Sequence, residues 1–271
     1  CTYSKTATVD EMKQIVIGFL GCGNVGGGVW ELLQGFAPQI AHRDQLSIRV
    51  KKVLVRDVHK ARTCSVPQEL LTTNPDDVLC DPEITLVAEF MGGEQPATDY
   101  LLRALENGKT VVTANKVAVA LNWHKLQAAA MAHHVGLYYE ASVCGAIPII
   151  NALMTPLQAN NITKLMGIIN GTTNYILSRM SAQGEPYEAV LADAQRLGLA
   201  EPDPSSDVEG LDAAYKLSIM ASLAFHARVP FNKVYREGIT HVTAMDISCG
   251  KEMGYVLKLL AIAKRDGNTI E

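Results

Sequence analysis

Asp212 and Lys216 are the residues in this sequence whose types and spacing best suit proton transfer. Because they lie four apart on a predicted helix, their side chains should project from the same face. Lys216 stands in a mostly apolar run, residues 213–220, and two interpretations of it are open. The pair could be an ordinary solvated ion pair on a helix surface. A lysine withdrawn from water would instead have an adjustable pKa and could act as a general acid and base.

Acidic residues are concentrated in the segment that leads to this pair. The group comprises Glu201, Asp203, Asp207, Glu209 and Asp212. Carboxylates at this density attract positive charge, so they favour a cationic substrate or a cationic group on a substrate.

Two further candidates follow predicted strands in the first half of the chain. Lys116 comes after a strand at 110–113, and parallel sheets bind their ligands at the carboxyl ends of their strands. The alternative for Lys116 is a plain surface lysine. Glu140 ends another predicted strand and precedes a turn of small residues, 141–146. The carbonyl groups of such a turn, together with one carboxylate, could bind a hard cation.

A glycine-rich loop follows the first predicted strand. Its pattern is Gly-x-Gly-x-x-Gly, with glycines at Gly21, Gly23 and Gly26, and a predicted helix begins within it. In this setting the first glycine permits a tight turn, the second lets a pyrophosphate approach the backbone, and the third lets the helix pack on the strand. The helix N-terminus adds free N–H groups and partial positive charge. The loop therefore predicts dinucleotide binding, the alternative being glycines that only make a turn.

The end of the second predicted strand bears on which dinucleotide is bound. An acidic residue there suits the ribose 2′-hydroxyl of NAD, whereas arginine suits the 2′-phosphate of NADP. This chain has Arg56 followed by Asp57, with Lys60 close behind. Arg56 and Lys60 favour NADP, because a guanidinium can hold a phosphate with two hydrogen bonds. Asp57 leaves NAD open as an alternative, and a solvated turn is the other interpretation of these charges.

These residues need a scaffold, and alternating strands and helices supply one through about residue 148. Strands are predicted at 14–20, 46–55, 84–90, 110–113 and 136–140, with helices at 25–35, 96–108 and 123–134. This alternation predicts an α/β fold with a doubly wound parallel sheet. The alternation then stops, so we place a domain change near residue 148. Beyond it a strand is predicted at 164–169, with helices at 174–183, 186–198, 210–227 and 253–265.

Composition narrows the classes of function. The chain has 271 residues, of which 48% are hydrophobic and 19% are charged, with a net charge of −4. No basic stripe favours nucleic acid, and neither a membrane-spanning run nor a basic amphipathic anchor is present in the sequence. The six cysteines lack the spacing of a zinc site. We expect a cytoplasmic protein with reduced thiols.

Five strings resemble those of the homoserine dehydrogenase family and occur in the family's order. They are Gly-x-Gly-Asn-Val-Gly at 21–26, Thr-Ala-Asn-Lys at 113–116, Glu-Ala-Ser-Val at 140–143, Asn-Gly-Thr-Thr-Asn-Tyr-Ile-Leu at 170–177, and Glu-Pro-Asp-Pro-Ser-Ser-Asp-Val-Glu-Gly-Leu-Asp-Ala-Ala-Tyr-Lys-Leu at 201–217. The last two are highly specific, whereas the glycine loop alone is not. Together they span nearly the whole chain.

The resemblance implies an NAD(P)-dependent oxidoreductase that interconverts L-homoserine and L-aspartate 4-semialdehyde. This reaction belongs to the aspartate-derived biosynthesis of threonine, methionine and isoleucine. The resemblance also implies a Rossmann-type nucleotide-binding domain at residues 1–148. An α+β substrate-binding and dimerisation domain with a mixed sheet would follow at 149–271. A homodimer is expected on the same ground.

Roles carried over from the family fall on residues that this sequence retains. Lys116 and Lys216 resemble the catalytic lysines, Lys216 exchanging a proton with the substrate oxygen. The implied substrate-binding residues are Glu201, suited to the ammonium group, Asp212, Asn170, Gly171 and Thr172. The predicted cofactor-binding residues are Gly21, Gly23, Asn24, Val25, Gly26, Arg56, Lys60, Gly92, Thr113 and Lys116. A cation loop, for sodium or a similar monovalent ion, falls on Glu140, Val143, Gly145 and Ile147, with Cys144 where the family usually has glycine.

Two features depart from the family, the first of which motivates one alternative function, while a second alternative is independent of both. Family members usually continue past the helix predicted at 253–265, so we expect this chain to lack their C-terminal segment. Residues 1–12 resemble no family core and are predicted to be an extension. One alternative function is therefore a truncated, non-catalytic dinucleotide-binding module. The other is a different amino-acid semialdehyde reductase on a similar scaffold.

Overall fold

The computed structural model describes residues 12–271, so the extension predicted at residues 1–12 lies outside the described residues except for Met12. The chain divides into two compact units, of which the first ends at Ser142 and the second spans Val143–Glu271. Among the described residues, no helix combines the length and the apolar character needed to cross a bilayer.

Six strands of the first unit form one parallel sheet in the order β3-β2-β1-β4-β5-β6. The strands are β1 (Lys13–Leu20), β2 (Leu46–Leu54), β3 (Leu71–Thr72), β4 (Leu86–Glu89), β5 (Thr110–Thr113) and β6 (Leu137–Tyr138). The helices are α1 (Asn24–Asp44), α2 (Asp76–Leu79), α3 (Ala97–Glu106) and α4 (Lys116–Ala132). The strand order reverses between β1 and β4, which is where doubly wound sheets bind ligands. The predicted Rossmann-type fold is confirmed.

The central strand β1 is buried on both faces, as expected of a parallel sheet covered by helices on each side. Val16 and Leu20 pack in the cluster that contains Leu101 of α3. The alternate residues Ile17 and Phe19 belong to a second cluster, with Trp30 of α1. This period of two explains why an unbroken apolar run, rather than an alternating one, marks the strand.

The second unit combines helices with a small sheet. Its helices are α5 (Ile149–Met154), α6 (Gly171–Gln183), α7 (Tyr187–Arg196), α8 (Ser205–Val208), α9 (Leu211–Ala224) and α10 (Ala244–Glu252). Its strands are β7 (Lys164–Gly167), β8 (Ala261–Asp266) and β9 (Thr269–Ile270). The α+β class is thus confirmed. Both strand pairings are antiparallel, β7 with β8 and β8 with β9, where the resemblance implied a mixed sheet.

The helix predicted at 253–265 was wrong. Helix α10 ends at Glu252, Gly254 takes a left-handed conformation with φ of 81°, and strand β8 begins at Ala261. Ala261 and Ala263 are buried whereas Ile262 between them is exposed, which is the alternation of a half-buried strand. The prediction failed because the same apolar residues also fit helical spacing, and because β7, the strand that pairs with β8, is distant in sequence.

The predicted helix at 123–134 begins too late. Helix α4 starts at Lys116, because the side chain of Asn115 caps it by accepting a hydrogen bond from the Ala118 N–H at 3.1 Å. The backbone is non-helical at Asn122, so the helix is kinked just before the segment that we predicted. Lys116 is therefore the first residue of a helix rather than part of a turn.

Two glycines near the start of α1 should respond in opposite directions to the same substitution. A Cβ atom on Gly26 would lie 2.8 Å from the Gly21 carbonyl oxygen, whereas one on Gly28 would have no neighbour within 4 Å. We expect Gly26→Ala to lower the free energy of unfolding by about 1–3 kcal/mol through overpacking. Gly28→Ala should raise it by up to about 1 kcal/mol, since alanine favours the helix. Denaturant unfolding of the two variants measures both, and equal changes of the same sign would contradict the packing.

Candidate active site

A cleft of about 750 Å³ lies at the carboxyl edge of the first unit's sheet. Residues that follow β1, β2 and β4 line it, as expected at the point where the strand order reverses. Of the predicted cofactor-binding residues, those that line it are Gly21, Gly23, Asn24, Arg56, Lys60 and Gly92. The cleft lining among the described residues does not include Val25, Gly26, Thr113 or Lys116. The fold therefore brings most, but not all, of the predicted cofactor-binding residues to this cleft.

The glycine loop closes tightly onto the sheet and leaves the start of α1 open. The Gly21 N–H donates to the Leu54 carbonyl at 2.9 Å, with Gly21 at φ of 94°, a conformation that suits glycine. Gly23 is the N-cap residue of α1, and among the described residues no side chain caps this helix. The first N–H groups of α1 and its positive dipole end are thus available to an anion. This geometry fits a pyrophosphate.

The segment after β2 presents three cations to the cleft, namely Arg56, Lys60 and Arg62. The Asp57 carboxylate accepts a hydrogen bond from the His59 N–H at 2.8 Å, so it is engaged in its own turn. The Arg62 guanidinium donates to the Asp57 and Lys60 carbonyl groups, which fixes the same turn. Arg62 was not among the residues predicted from the sequence. The sequence feature that could have indicated Arg62 is its place as a third basic residue, after Arg56 and Lys60, in the segment that follows β2.

Glu89, at the end of β4, is a fully buried carboxylate that the sequence analysis also missed. It accepts hydrogen bonds from Met91 N at 2.6 Å, from Gly92 N at 3.2 Å and from the Thr113 hydroxyl at 2.5 Å. The Asn115 amide donates weakly to Glu89 at 3.4 Å and more closely, at 2.7 Å, to a backbone carbonyl, that of Gly93. Thr113 thus serves this network, which fixes the loop around Gly92. The sequence feature that could have indicated Glu89 is an acidic residue at the end of an otherwise apolar strand.

Lys116 follows directly from that network. The side-chain amide of its neighbour Asn115 donates a hydrogen bond to the Gly93 carbonyl, in the loop that Glu89 fixes. The side-chain oxygen of Asn115 accepts from the Ala118 N–H and so caps α4. The Lys116 side chain is half-buried and is held at the first turn of α4. The carboxyl end of β5 therefore sets the position of this lysine, as its place in the sequence predicted.

In the second unit, Lys216 and Asp212 form a buried pair. The Lys216 ammonium donates to the Asp212 carboxylate at 2.6 Å and to the Ile169 carbonyl at 3.0 Å. The exposed fractions of the two side chains are 17% and 4%, so this is not the solvated surface pair of the first interpretation. Two hydrogen bonds hold the lysine amine at a defined position, with most of its side chain removed from solvent. Such a group can give or take a proton at one place.

Asn170 completes this network. Its amide NH₂ donates to Asp212 at 2.9 Å and to Asp207 at 2.7 Å. Its carbonyl oxygen accepts from the Thr173 N–H at 2.8 Å and caps α6. The sequence predicted Asn170 and Asp212 as site residues, and they are in direct contact. Asp207 was noted only as one of several nearby acids, yet it contacts the same amide.

The other predicted substrate residues lie outside this network. Gly171 is exposed at the start of α6, and the Thr172 hydroxyl donates to the Leu199 carbonyl at 2.9 Å. Glu201 is exposed, and its backbone carbonyl accepts from the Gln195 amide at 3.2 Å. Because an exposed carboxylate keeps its hydration, Glu201 could receive a cationic group without first breaking a buried contact.

The predicted cation loop is tightly turned. Cys144 and Ala146 have φ values of 48° and 68°, and the Ile147 N–H donates to the Cys144 carbonyl at 2.8 Å. Burial raises the pKa of the Cys144 thiol, with Lys216 and Asp212 acting on it in opposite directions. This loop therefore lies within electrostatic range of the buried pair.

The residues predicted to bind the cation differ in their exposure to solvent. In the second unit Val143 is buried while Gly145 and Ile147 are exposed, and Glu140 belongs to the first unit. Among the described residues, no group of three or more His, Cys, Asp or Glu side chains is arranged for a metal ion. Cation binding here would depend mainly on backbone oxygens.

Comparisons with known proteins cover both units. A family model described as homoserine dehydrogenase, NAD binding domain, matches residues 21–140, and one described as homoserine dehydrogenase matches residues 148–271. The homoserine dehydrogenase of Bacillus subtilis is 46% identical over 260 residues, which cover 96% of this chain and 60% of the relative. That of Synechocystis is 47% identical, over 95% of this chain and 58% of the relative. The chain thus spans about 60% of the length of these curated relatives.

Solved structures agree with these matches. The crystal structure of a homoserine dehydrogenase from Thiobacillus denitrificans has a TM-score of 0.91 at 48% identity, covering 96% of this chain and 60% of that one. A putative homoserine dehydrogenase from Archaeoglobus fulgidus has a TM-score of 0.81 at 33% identity, covering 93% of this chain and 81% of that one. The matched sequence, the fold and the buried lysine network lead to one conclusion: this chain belongs to the homoserine dehydrogenase family.

Proposed function

We propose that this chain interconverts L-homoserine and L-aspartate 4-semialdehyde with a nicotinamide dinucleotide, as a step in amino-acid biosynthesis. The observation that carries the proposal is the buried Lys216–Asp212–Asn170 network of the second unit. Oxidation of an alcohol requires that its oxygen lose a proton as its carbon loses a hydride. A positioned amine in a desolvated setting supports the proton transfer, and family membership supports the substrate.

When bound, the nicotinamide supplies or accepts the hydride. In semialdehyde reduction, Lys216 donates a proton to the carbonyl oxygen as it becomes a hydroxyl; in homoserine oxidation the same amine takes that proton back. The Asp212 carboxylate and the Ile169 carbonyl hold the amine in place. Lys116 is proposed as the second catalytic lysine, at the start of α4.

Substrate recognition is proposed to depend on the polar ends of homoserine. Glu201, whose carboxylate is exposed, suits the ammonium group. Asp212 contributes negative charge beside the reacting oxygen, and the turn formed by Asn170, Gly171 and Thr172 would line the substrate. A protein that matches this substrate's hydroxyl and ammonium groups disfavours analogues that lack them, because buried polar groups would be left unpaired.

For the cofactor we propose NADP in preference to NAD. Arg56, Lys60 and Arg62 all line the cleft that the glycine loop borders, and these three cations outnumber the single carboxylate of the same turn, which favours a 2′-phosphate. The Asp57 carboxylate, which suits the ribose of NAD, lines the same cleft and accepts one hydrogen bond from the His59 N–H. A sodium or similar monovalent ion at Glu140, Val143, Gly145 and Ile147 remains a proposal from the family resemblance. The tight turn at Cys144–Ile147 is compatible with it.

We further propose a homodimer that forms through the sheet of the second unit. Met166 of β7 and Ile262 of β8 are cross-strand partners, and their exposed fractions are 55% and 41%. Ile168 and Leu260, two residues along each segment, are also exposed, so these four side chains form an apolar patch on one face, beside the exposed pair Lys164 and Lys264. A second copy of the same face would cover it, as an isologous interface does.

The test of activity is consumption of NADPH with aspartate 4-semialdehyde, in the wild type and in Lys216→Ala. We expect kcat to fall about 10²–10⁴-fold in the variant, the usual contribution of general acid–base catalysis, with NADP⁺ affinity unchanged. Because Lys216→Ala leaves Asp212 buried without its cation, the double variant Asp212→Asn/Lys216→Met separates lost stability from lost chemistry.

A matched control is Lys258→Met in the same unit. Lys258 donates to the side chains of Asn174 and Ser178 and takes no part in the proposed site. Equal kcat in the wild type and in Lys216→Ala would reject the role of Lys216. NADP⁺ binding without turnover would identify the non-catalytic module, and a faster rate with another semialdehyde in a substrate panel would identify the other reductase.

Cofactor choice is tested by comparing kcat/KM for NADPH and NADH. Loss of a charge-assisted hydrogen bond costs about 1.5–3 kcal/mol, so Arg56→Ser should lower kcat/KM for NADPH roughly 10–100-fold and leave NADH nearly unaffected. Asp57→Ala serves as the control in the same turn and should not lower the value for NADPH. A wild type that prefers NADH would overturn the assignment.

The dimer is tested by light scattering during gel filtration. The wild type should have the mass of two chains, and Met166→Asp should shift it toward one, because a carboxylate would be buried without a partner. Met131→Asp is the control, since Met131 is also exposed but lies in the first unit. A monomeric wild type would contradict the proposal.

A further inference from the structure

Two thiols meet beside the glycine loop, although 42 residues separate them in the chain. Cys22 lies within the loop, is half-buried and lines the cleft. Cys64 is buried, and its sulfur lies 3.6 Å from that of Cys22. The proposed reaction uses neither thiol. Together they form a pair of adjacent free thiols beside the cleft where the dinucleotide is proposed to bind.

Each thiol is attached to a different wall of that cleft. A Cβ atom on Gly27, in the first turn of α1, would lie 3.1 Å from the Cys64 sulfur, so Cys64 packs closely under the start of the helix. Its neighbours Arg62 and Thr63 line the cleft on the side of the basic segment. A bond between Cys22 and Cys64 would therefore tie the glycine loop to the segment that carries Arg56, Lys60 and Arg62.

We propose that Cys22 and Cys64 are a disulfide-forming pair whose oxidation weakens dinucleotide binding. The oxidant is a low-molecular-weight disulfide such as oxidised glutathione. The Cys22 thiolate attacks one of its sulfurs, which releases one thiol and leaves a mixed disulfide. The Cys64 thiolate then attacks the Cys22 sulfur, which releases the second thiol and forms the Cys22–Cys64 bond. Two protein thiols are oxidised, and one disulfide is reduced to two thiols.

The order of the two steps follows from burial. Cys22 is the accessible thiol, whereas Cys64 is too buried to meet an external disulfide first. Burial and the adjacent Cys64 thiol raise the pKa of Cys22 to about 11, while Arg62 acts in the opposite direction. Little thiolate is present at neutral pH, so exchange is slow. The state of the pair is therefore measured at equilibrium rather than from an initial rate.

Closing the bond changes the positions of the two cysteines beside the loop. A disulfide has an S–S length of about 2.05 Å, so the sulfurs have to approach by roughly 1.5 Å from their 3.6 Å separation. The loop has little slack, because even an added Cβ atom on Gly26 would lie 2.8 Å from the Gly21 carbonyl oxygen. We infer that any shift of Cys22 in this closely packed loop displaces the neighbouring backbone N–H groups that are proposed to bind the pyrophosphate. This effect rests on the proposed dinucleotide binding, whereas the bond itself does not.

The first measurement detects the bond without any ligand. The full chain is equilibrated in glutathione buffers of increasing oxidising strength, and free thiols are alkylated. The masses of the tryptic peptides are then measured by mass spectrometry. Trypsin releases Cys22 in peptide 14–43 and Cys64 in peptide 63–103, which also contains Cys80. The background variant Cys80→Ser removes that ambiguity. We expect the two peptides to be linked, and the link to be absent in Cys80→Ser/Cys64→Ser.

One result would overturn the pair. If Cys22 and Cys64 are still alkylated separately in buffers that fully modify exposed Cys249, or if each carries glutathione without a link, no disulfide switch exists here. The exposed Cys249 thus reports that the buffer was oxidising enough.

The second measurement is the Kd for NADP⁺, by calorimetry, in the reduced and the linked protein. We expect at least a tenfold weaker Kd in the linked form and no effect of oxidation in Cys80→Ser/Cys22→Ser, which lacks the accessible attacking thiol. By linkage, saturating NADP⁺ should then raise the reduction potential of the pair by about 30 mV per tenfold difference in Kd, because NADP⁺ stabilises the dithiol form that binds it more tightly. An unchanged Kd would overturn the control of binding even if the bond forms. Failure of the reduced protein to bind NADP⁺ would reject the proposed function and this control, with the bond still judged by mass.

Discussion

The buried carboxylate of Glu89 is the interaction on which the carboxyl edge of the first sheet depends. A carboxylate removed from water is stable only when hydrogen-bond donors satisfy it. The donors come from the loop after β4, through Met91 and Gly92, and from the end of β5, through Thr113. Asn115 connects this network to the cap of α4. One buried charge thus fixes a loop of the cleft and the helix that begins with Lys116.

The second unit obeys the same constraint with a different partner. Asp212 is buried, and it is satisfied by the ammonium of Lys216 and the amide of Asn170. Removing one partner of a buried ion pair lowers the free energy of unfolding by roughly 3–5 kcal/mol. The three side chains therefore stabilise one another in fixed positions. A lysine held in this way needs little reorganisation when a proton moves, which is the condition for electrostatic preorganisation. Stability and chemistry therefore draw on the same contacts.

Local signals in the sequence were enough for the first sheet and for the glycine loop. A buried strand, a glycine turn and a helix follow one another directly, so each supports the assignment of the next. The strand β8 had no such support, since its apolar residues fit a helix and its partner β7 is remote in sequence. Glu89 and Arg62 were missed for a related reason. An acidic residue at a strand end and a third basic residue in a turn are usually solvated surface residues. Only the fold shows that other groups surround them here.

The two interpretations of Lys216 show why chemistry is harder to predict than architecture. Spacing of four residues places Asp212 and Lys216 on one helix face whether that face is covered or solvated. The covering contact is the Ile169 carbonyl, 47 residues upstream, and the Asn170 amide arrives from the same turn. Spacing along the chain carries no information about such contacts. The resemblance supplied what spacing could not, because it assigned residues of the strings 170–177 and 201–217 to one site, without stating the contact that joins them.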